Sequence, residues 1–216
     1  MDFPRDLADR FNRFRFRHFA PYHEHYQQLA SLGQHPEVMV VSCCDSRVDP
    51  ETIFSSMPGE LFVVRNVANL VPPYETTGKY HGVSAALEFA ALTLSVRYIV
   101  VMGHSGCGGI RASLERNAVG QNVGQFITGW MSMLDDSRKS LLDQVAGRPA
   151  TELTKALEME GIRVSVRNLR TFPFVKTLES EGRLTLHGAY FDIATGNLSV
   201  LNQKTDKFER IPISPA

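Results

Sequence analysis

Three short apolar runs constrain this chain more than any other feature: residues 38–42 (VMVVS), 61–64 (LFVV) and 98–102 (YIVVM). Each is rich in Val and bounded by Pro or Gly, as strands covered on both faces are. Helical patterns separate them. Residues 50–56 read as a short helix, and 83–94 carry Ala, Leu and Phe around most of the circumference, as a helix buried between a sheet and a neighbour does. Strands alternating with helices predict a parallel sheet flanked by helices, an α/β fold.

Beyond the third run, residues 108–117 read as a helix, 120–122 as a turn, and 126–145 as helical segments interrupted before Asp135. Residues 147–149 form a break. Thr151 is placed to cap a helix running towards Asn168, and Pro173 to begin another ending near Gly182. From 184 to 201 the pattern becomes strand-like, with Thr195, Gly196 and Asn197 suited to a hairpin turn between 190–194 and 198–201. No repeat or linker divides the chain, and 216 residues at 43% hydrophobic and 21% charged suit one domain. Residues 1–35 are read as an N-terminal helical arm and 36–216 as the α/β core.

The formal net charge is zero, so no global field draws the chain to nucleic acid or to an anionic membrane. No apolar run approaches the roughly 20 residues of a membrane span. Residues 5–18 are rich in Arg and Phe, but Asp2, Asp6 and Asp9 argue against a transit peptide and for an amphipathic helix. The expectation is a chain that starts at its mature N-terminus. The only cysteines are Cys43, Cys44 and Cys107, which cannot form a paired disulfide framework and point to a reducing, cytoplasmic setting. Three thiols also fall short of an iron–sulfur cluster, leaving a mixed Cys/His zinc site as their more economical use.

The reactive side chains concentrate in two places. Cys43-Cys44-Asp45-Ser46-Arg47 follows the first strand, and Gly103-His104-Ser105-Gly106-Cys107-Gly108-Gly109 follows the third. Both lie where the carboxyl edge of a parallel sheet forms its site. Two strand ends then supply two sulfurs and one imidazole, leaving a fourth position for water or a carboxylate. Taken singly, a small buried cysteine or a turn histidine is ordinary; taken together they are not. Glycines flank His104 and Cys107 where larger residues would crowd a ligand, and Arg47 is spaced to hold Asp45 through a bidentate pair. Cys44 is read as packing, and Trp130 as core.

These residues resemble the β-carbonic anhydrases. The family pattern C-x-D-S-R falls on Cys43, Asp45, Ser46 and Arg47, and H-x-x-C falls on His104 and Cys107. The likeness continues through residues 58–74 and 184–192. It implies one zinc per chain on Cys43, His104 and Cys107, and reversible hydration of carbon dioxide to bicarbonate and a proton by hydroxide on that zinc. Asp45 would orient the hydroxide while Arg47 holds it off the metal; in a closed state Asp45 would become the fourth ligand. Gln34 and Val40, which stands where another branch has tryptophan, suggest the plant-type branch and the open state. By the same resemblance Phe62 and Val67 line the carbon dioxide pocket, while Gln34, Ser46 and the Gly108 amide face the anion. Phe89 stands where many relatives have tyrosine. The sheet would carry an added C-terminal strand, and the N-terminal helices would embrace a partner, giving a homodimer or a dimer-based tetramer or octamer.

Two alternatives share parts of this pattern. One is a hydrolase of a related linear triatomic such as carbon disulfide; the other is an enzyme with Cys107 as nucleophile and His104 as base, in which Cys43 has no role. A nucleotide site at the glycine-rich turn fails because Arg111 occupies the last glycine position of G-x-G-x-x-G. His23 and His25, two apart, do not share a helix face and are not read as a second metal site. No proton shuttle stands out among His18, His23, His25, His35, His81 and His187.

Overall fold

The computed structural model describes residues 2–115, 124–144 and 149–214. Two helices, α1 (Arg5–Phe14) and α2 (His23–Leu32), are joined through a π-helical turn at Arg15–Phe19 and form an arm ahead of the sheet. Neither helix buries a residue, and Leu7, Phe11 and Phe16 are exposed.

Six strands follow: β1 (Val38–Cys43), β2 (Leu61–Asn66), β3 (Tyr98–His104), β4 (Thr185–Asp192), β5 (Asn197–Asn202) and β6 (Lys207–Arg210). They form one sheet in the order β2-β1-β3-β4-β5-β6. The first four neighbours are parallel and the last two pairings antiparallel. Strands β1, β2 and β3 each run one or two residues past the apolar runs that announce them. Cys43 and His104 are therefore the last residues of their strands, not the first of the loops.

The helices are α3 (Pro50–Ile53), α4 (Gly82–Glu88), α5 (Gly108–Glu115), α6 (Gln125–Met131), α7 (Asp135–Gln144), α8 (Ala150–Leu169) and α9 (Pro173–Ser180). The Asp49 carboxylate caps α3 by accepting from the Thr52 amide at 3.1 Å, and Pro50 fits its first turn. A short 3-10 turn at Ser132–Leu134 makes the break foreseen before Asp135. The largest core cluster joins Met39 and Val41 of β1, Ile99 and Val101 of β3, Leu87 after α4's first turn, Ile162 and Leu169 of α8 and Val175 of α9.

Several expectations need correction. The helix foreseen over 83–94 is α-helical only to Glu88 and continues as a π-helical turn, Phe89–Thr93. It is not covered all round: Leu87, Ala90 and Ala91 are buried, but Phe89 and Leu92 are 44% and 52% exposed. Thr151 lies inside the first turn of α8, whose N-cap is Pro149. Strand β4 begins at Thr185, where the strand-like pattern from 184 places it, and pairs along the whole of β3. Beyond Leu201 the edge strand β6 (KFER) was not anticipated, since one apolar residue in four gives no strand pattern. Cys44 is exposed, not packed. The turn at 120–122 and Gly147 lie outside the described residues.

Candidate metal centre

The parallel register sets Cys43 beside Asn66 and carries β1 and β3 to the same edge. The ligand atoms of Cys43, His104 and Cys107 lie within 4.8 Å of one another, and all three residues are buried. The two sulfurs are 3.9 Å apart and both thiols are free. Among the described residues this is the only such grouping of His, Cys, Asp or Glu.

The histidine is set for a metal. Its Nδ1 lies 3.0 Å from the Ser105 carbonyl, a contact that makes Nδ1 the protonated nitrogen and leaves the Nε2 lone pair free. Nε2 is buried and has no hydrogen-bond partner among the described residues. An orphaned buried nitrogen facing two buried sulfurs is costly unless a cation takes all three. A Cys2His set with one open position is a donor set of catalytic zinc sites. The residues present fit zinc.

Without a metal the thiols share their protons unevenly. Burial and the bond between the two sulfurs favour a single thiolate in the pair, one thiol giving up its proton more readily and the other holding it. The Cys107 thiol is buried with its sulfur 3.9 Å from that of Cys43, an arrangement that gives Cys43 the place a Cys107 nucleophile would leave unexplained.

Asp45 stands beside the cluster with both carboxylate oxygens engaged. Arg47 donates from Nε to Oδ1 at 2.9 Å and from Nη2 to Oδ2 at 2.7 Å, and its backbone amide adds a third bond at 3.0 Å. The guanidinium, more than any other group, holds the Asp45 carboxyl well below the usual carboxylate range. The same Nη2 donates to the Gly106 carbonyl at 3.1 Å, tying the loop after β1 to the loop after β3.

Three residues, Arg65, Glu158 and Trp130, support the site in roles not read from the sequence. Arg65 of β2 donates to the carbonyls of Cys43 (2.9 Å) and Asp45 (2.7 Å) and pairs with Asp49, clamping the end of β1. Glu158, mid-way along α8 and 4% exposed, accepts from the Cys107 amide at 2.9 Å and from the Tyr190 hydroxyl at 2.8 Å. Burial pushes the Glu158 carboxyl up. A lone acid among the apolar positions of a helix was the available sign. Trp130 is half-buried and donates its indole N–H to the Val67 carbonyl at 2.8 Å, so it braces the site as well as packing.

Val67 begins a strained turn: Ala68 and Asn69 have φ of 63° and 50°. A Cβ on Gly109 would stand 2.6 Å from a Val67 methyl, and one on Gly103 2.8 Å from Ile162. Crowding therefore explains the glycines at 103 and 109. It does not explain Gly106 and Gly108, where a Cβ would meet open space.

Ser46 and Gly108 are exposed at the same edge as the cluster. Gln34 and Phe62 are not there. Phe62 pairs in register with Met39, four residues before Cys43, which places it about 13 Å back along the strands. It packs against Phe89, ring centroids 5.9 Å apart. Gln34 is exposed ahead of β1, at its amino end. One chain thus brings Asp45, Ser46, Arg47, Val67 and Gly108 to the cluster but leaves Gln34, Phe62 and Phe89 at the other end.

An α/β chain with a Cys2His cluster at the strand ends and an arginine-held aspartate beside it is a metalloenzyme by architecture. The carbonic anhydrase family model matches residues 38–198. A carbonic anhydrase of Synechococcus elongatus is 31% identical over 194 residues, 90% of this chain and 70% of the relative. One of Synechocystis is 33% identical over 192 residues, 89% and 69% of the two. The β-carbonic anhydrase CcaA superposes with a TM-score of 0.88 at 32% identity, covering 97% of this chain and 92% of its own. A structure from a study of two tetrameric β-carbonic anhydrases of Sordaria macrospora gives 0.80 at 27% identity, covering 91% and 95%. The chain belongs to the β-class carbonic anhydrase family. It is a lyase of carbon dioxide hydration.

Proposed function

We propose that Cys43, His104 and Cys107 hold one zinc ion and that Asp45, positioned by Arg47, acts on water at that ion to hydrate carbon dioxide. The observation that carries this reading is the buried trio with an unpartnered His104 Nε2 next to a carboxylate whose two oxygens are both bound by Arg47. Zinc bound there supplies Lewis acidity and makes water a nucleophile near neutral pH. Two thiolate ligands neutralise the dication, so the attacking water needs an anionic acceptor to orient it. The Asp45 carboxylate is that acceptor: Arg47 keeps it ionised and turned away from the cluster, which supports the open state over the one in which Asp45 becomes a ligand.

Val67 offers an apolar wall for carbon dioxide, and the Gly108 amide and Ser46 hydroxyl offer donors for bicarbonate. We read Gln34, Phe62 and Phe89 as reaching the cluster of a second copy, so that each site draws on two chains. The exposed apolar face of the arm, with Leu7 and Phe11, and the exposed Phe89 and Leu92 support a homodimer or a dimer-based oligomer. Tetrameric relatives fit that range. We retain the plant-type branch and a cytoplasmic setting as proposals resting on Gln34 and Val40 and on three unpaired thiols. No helix of the described residues is long and apolar enough to cross a membrane.

The test is stopped-flow carbon dioxide hydration on zinc-loaded protein, wild type against Asp45→Ala. Rapid hydration by wild type and a fall in kcat/KM of about a hundredfold or more in the variant are expected. Equal rates in the two would remove Asp45 from the mechanism.

A further inference from the structure

The ladder between β1 and β2 closes at Cys43, in register with Asn66, and the next amide, that of Cys44, still donates to the Asn66 carbonyl at 2.9 Å. There the two segments part. β2 gives way to the 3-10 turn Val67–Asn69, in which Ala68 takes a φ of 63°. The backbone from Cys43 to Asp45 therefore runs on past the end of β2, and its carbonyls need a donor that the ladder no longer supplies.

Arg65, the residue before Asn66, is that donor. Its Nε gives to the Cys43 carbonyl at 2.9 Å and its Nη2 to the Asp45 carbonyl at 2.7 Å. The third nitrogen, Nη1, lies 3.3 Å from Asp49 Oδ1. Asp49 is itself fixed: its Oδ2 accepts from the amide of Thr52 at 3.1 Å and from the Thr52 hydroxyl at 2.7 Å, at the start of α3. A helix cap thus holds the guanidinium from behind, and two donors of a rigid planar fork face forward.

The pair between Arg47 and Asp45 cannot do the same work. Two residues apart on one loop, they fix how the carboxylate is turned but move together with the loop. Arg47 ties that loop to the β3 side through the Gly106 carbonyl, and Arg65 ties it to the β2 side.

We infer that Arg65, aimed by Asp49, is a positioning residue that sets the Cys43 sulfur and the Asp45 carboxylate relative to each other by holding the carbonyls of both residues in one fork. The inference rests on the hydration reading above. Arg65 acts only through Cys43 and Asp45. A lysine keeps the charge but not the fork.

The experiment measures hydration per bound zinc for wild type, Arg65→Met, Asp45→Ala and the double variant, with the thermal midpoint of each. Arg65→Met alone is expected to lower kcat/KM about tenfold to a hundredfold. In the Asp45→Ala background the same change should cost less than about twofold, because the group it positions is gone. Equal falls in the two backgrounds overturn the proposal, as does an unchanged kcat/KM in a variant whose midpoint alone has dropped. Recovery of the wild-type value by Arg65→Lys overturns it too. Should Arg65→Met not fold, Asp49→Asn carries the same comparison: asparagine still caps α3 but no longer ion-pairs with the guanidinium, for a fall of about threefold to tenfold that vanishes in the Asp45→Ala background. A second readout needs no turnover. Competition with a chromophoric chelator should show zinc bound about tenfold or more weakly by Arg65→Met than by wild type. Equal zinc affinity overturns the proposal. Wild type that binds zinc without hydrating carbon dioxide would instead sink the functional reading, and the competition result would still decide the role of Arg65.

Discussion

At the carboxyl end of the sheet four site residues meet partners within the chain. Asp45 has Arg47, Arg47 has Gly106, Cys107 has Glu158, and Val67 has Trp130. At the amino end the remaining site residues stand differently: Gln34 is exposed and Phe89 is 44% exposed against Phe62. The first region is built by strand register and buried hydrogen bonds, which one chain can close. The second is an apolar surface that one chain leaves open, and such surfaces are stable when something covers them. On the proposed reading the metal chemistry is a property of the fold, and substrate recognition a property of assembly.

The sharpest blow to the first region is Cys43→Ser. It removes a thiolate from a three-ligand set, and zinc content measured by mass spectrometry should drop to background together with hydration. Retained stoichiometric zinc would mean that the cluster is not the site.

The division between the two regions can be broken by complementation. Gln34→Ala and Asp45→Ala are each expected to be impaired, but in a mixed dimer one site combines the intact Asp45 of one chain with the intact Gln34 of the other. Co-refolding equal amounts should recover about a quarter of the wild-type rate if both ends serve one site across two chains. No recovery would put Gln34 and Asp45 in the same chain's site, against the register argument.

A smaller effect tests how rigidly the first region is held. Glu158→Ala leaves the Cys107 amide and the Tyr190 hydroxyl without their buried acceptor, for a loss of about 2–4 kcal/mol in urea unfolding of the zinc-free protein. A loss below about 0.5 kcal/mol would show that the Glu158 bonds are incidental.

The same contrast explains what could be read from the sequence. Strands β1, β2 and β3 were legible because fully buried parallel strands are continuous apolar runs, and the trio was legible because the motif residues sit at their ends. Glu158, Arg65 and Trp130 were not, since their partners are 16 to 63 residues distant in the chain and local pattern carries no trace of such pairs. Strand β6 lacked a pattern because an edge strand half in solvent needs none. The distance between Phe62 and Val67 was not legible from spacing alone: five residues separate them in sequence, and on an extended strand five residues are most of the strand's length.

The weakest effect concerns the sheet between the two ends. Burial lowers His187, so the folded state prefers its neutral ring. The unfolded chain takes up that proton in the ordinary histidine range, near ~6.5. Because the unfolded state binds more protons as pH falls, this contribution to stability is full above that range and is lost on acidification through it. His187→Phe keeps a ring beside Tyr98 but removes the titration. Its thermal midpoint should fall less than that of wild type between about pH 8 and about pH 5, with zinc removed from both so that ligand protonation does not enter. If the two midpoints fall in parallel, the acid sensitivity of the chain lies in its ends and not in the sheet that joins them.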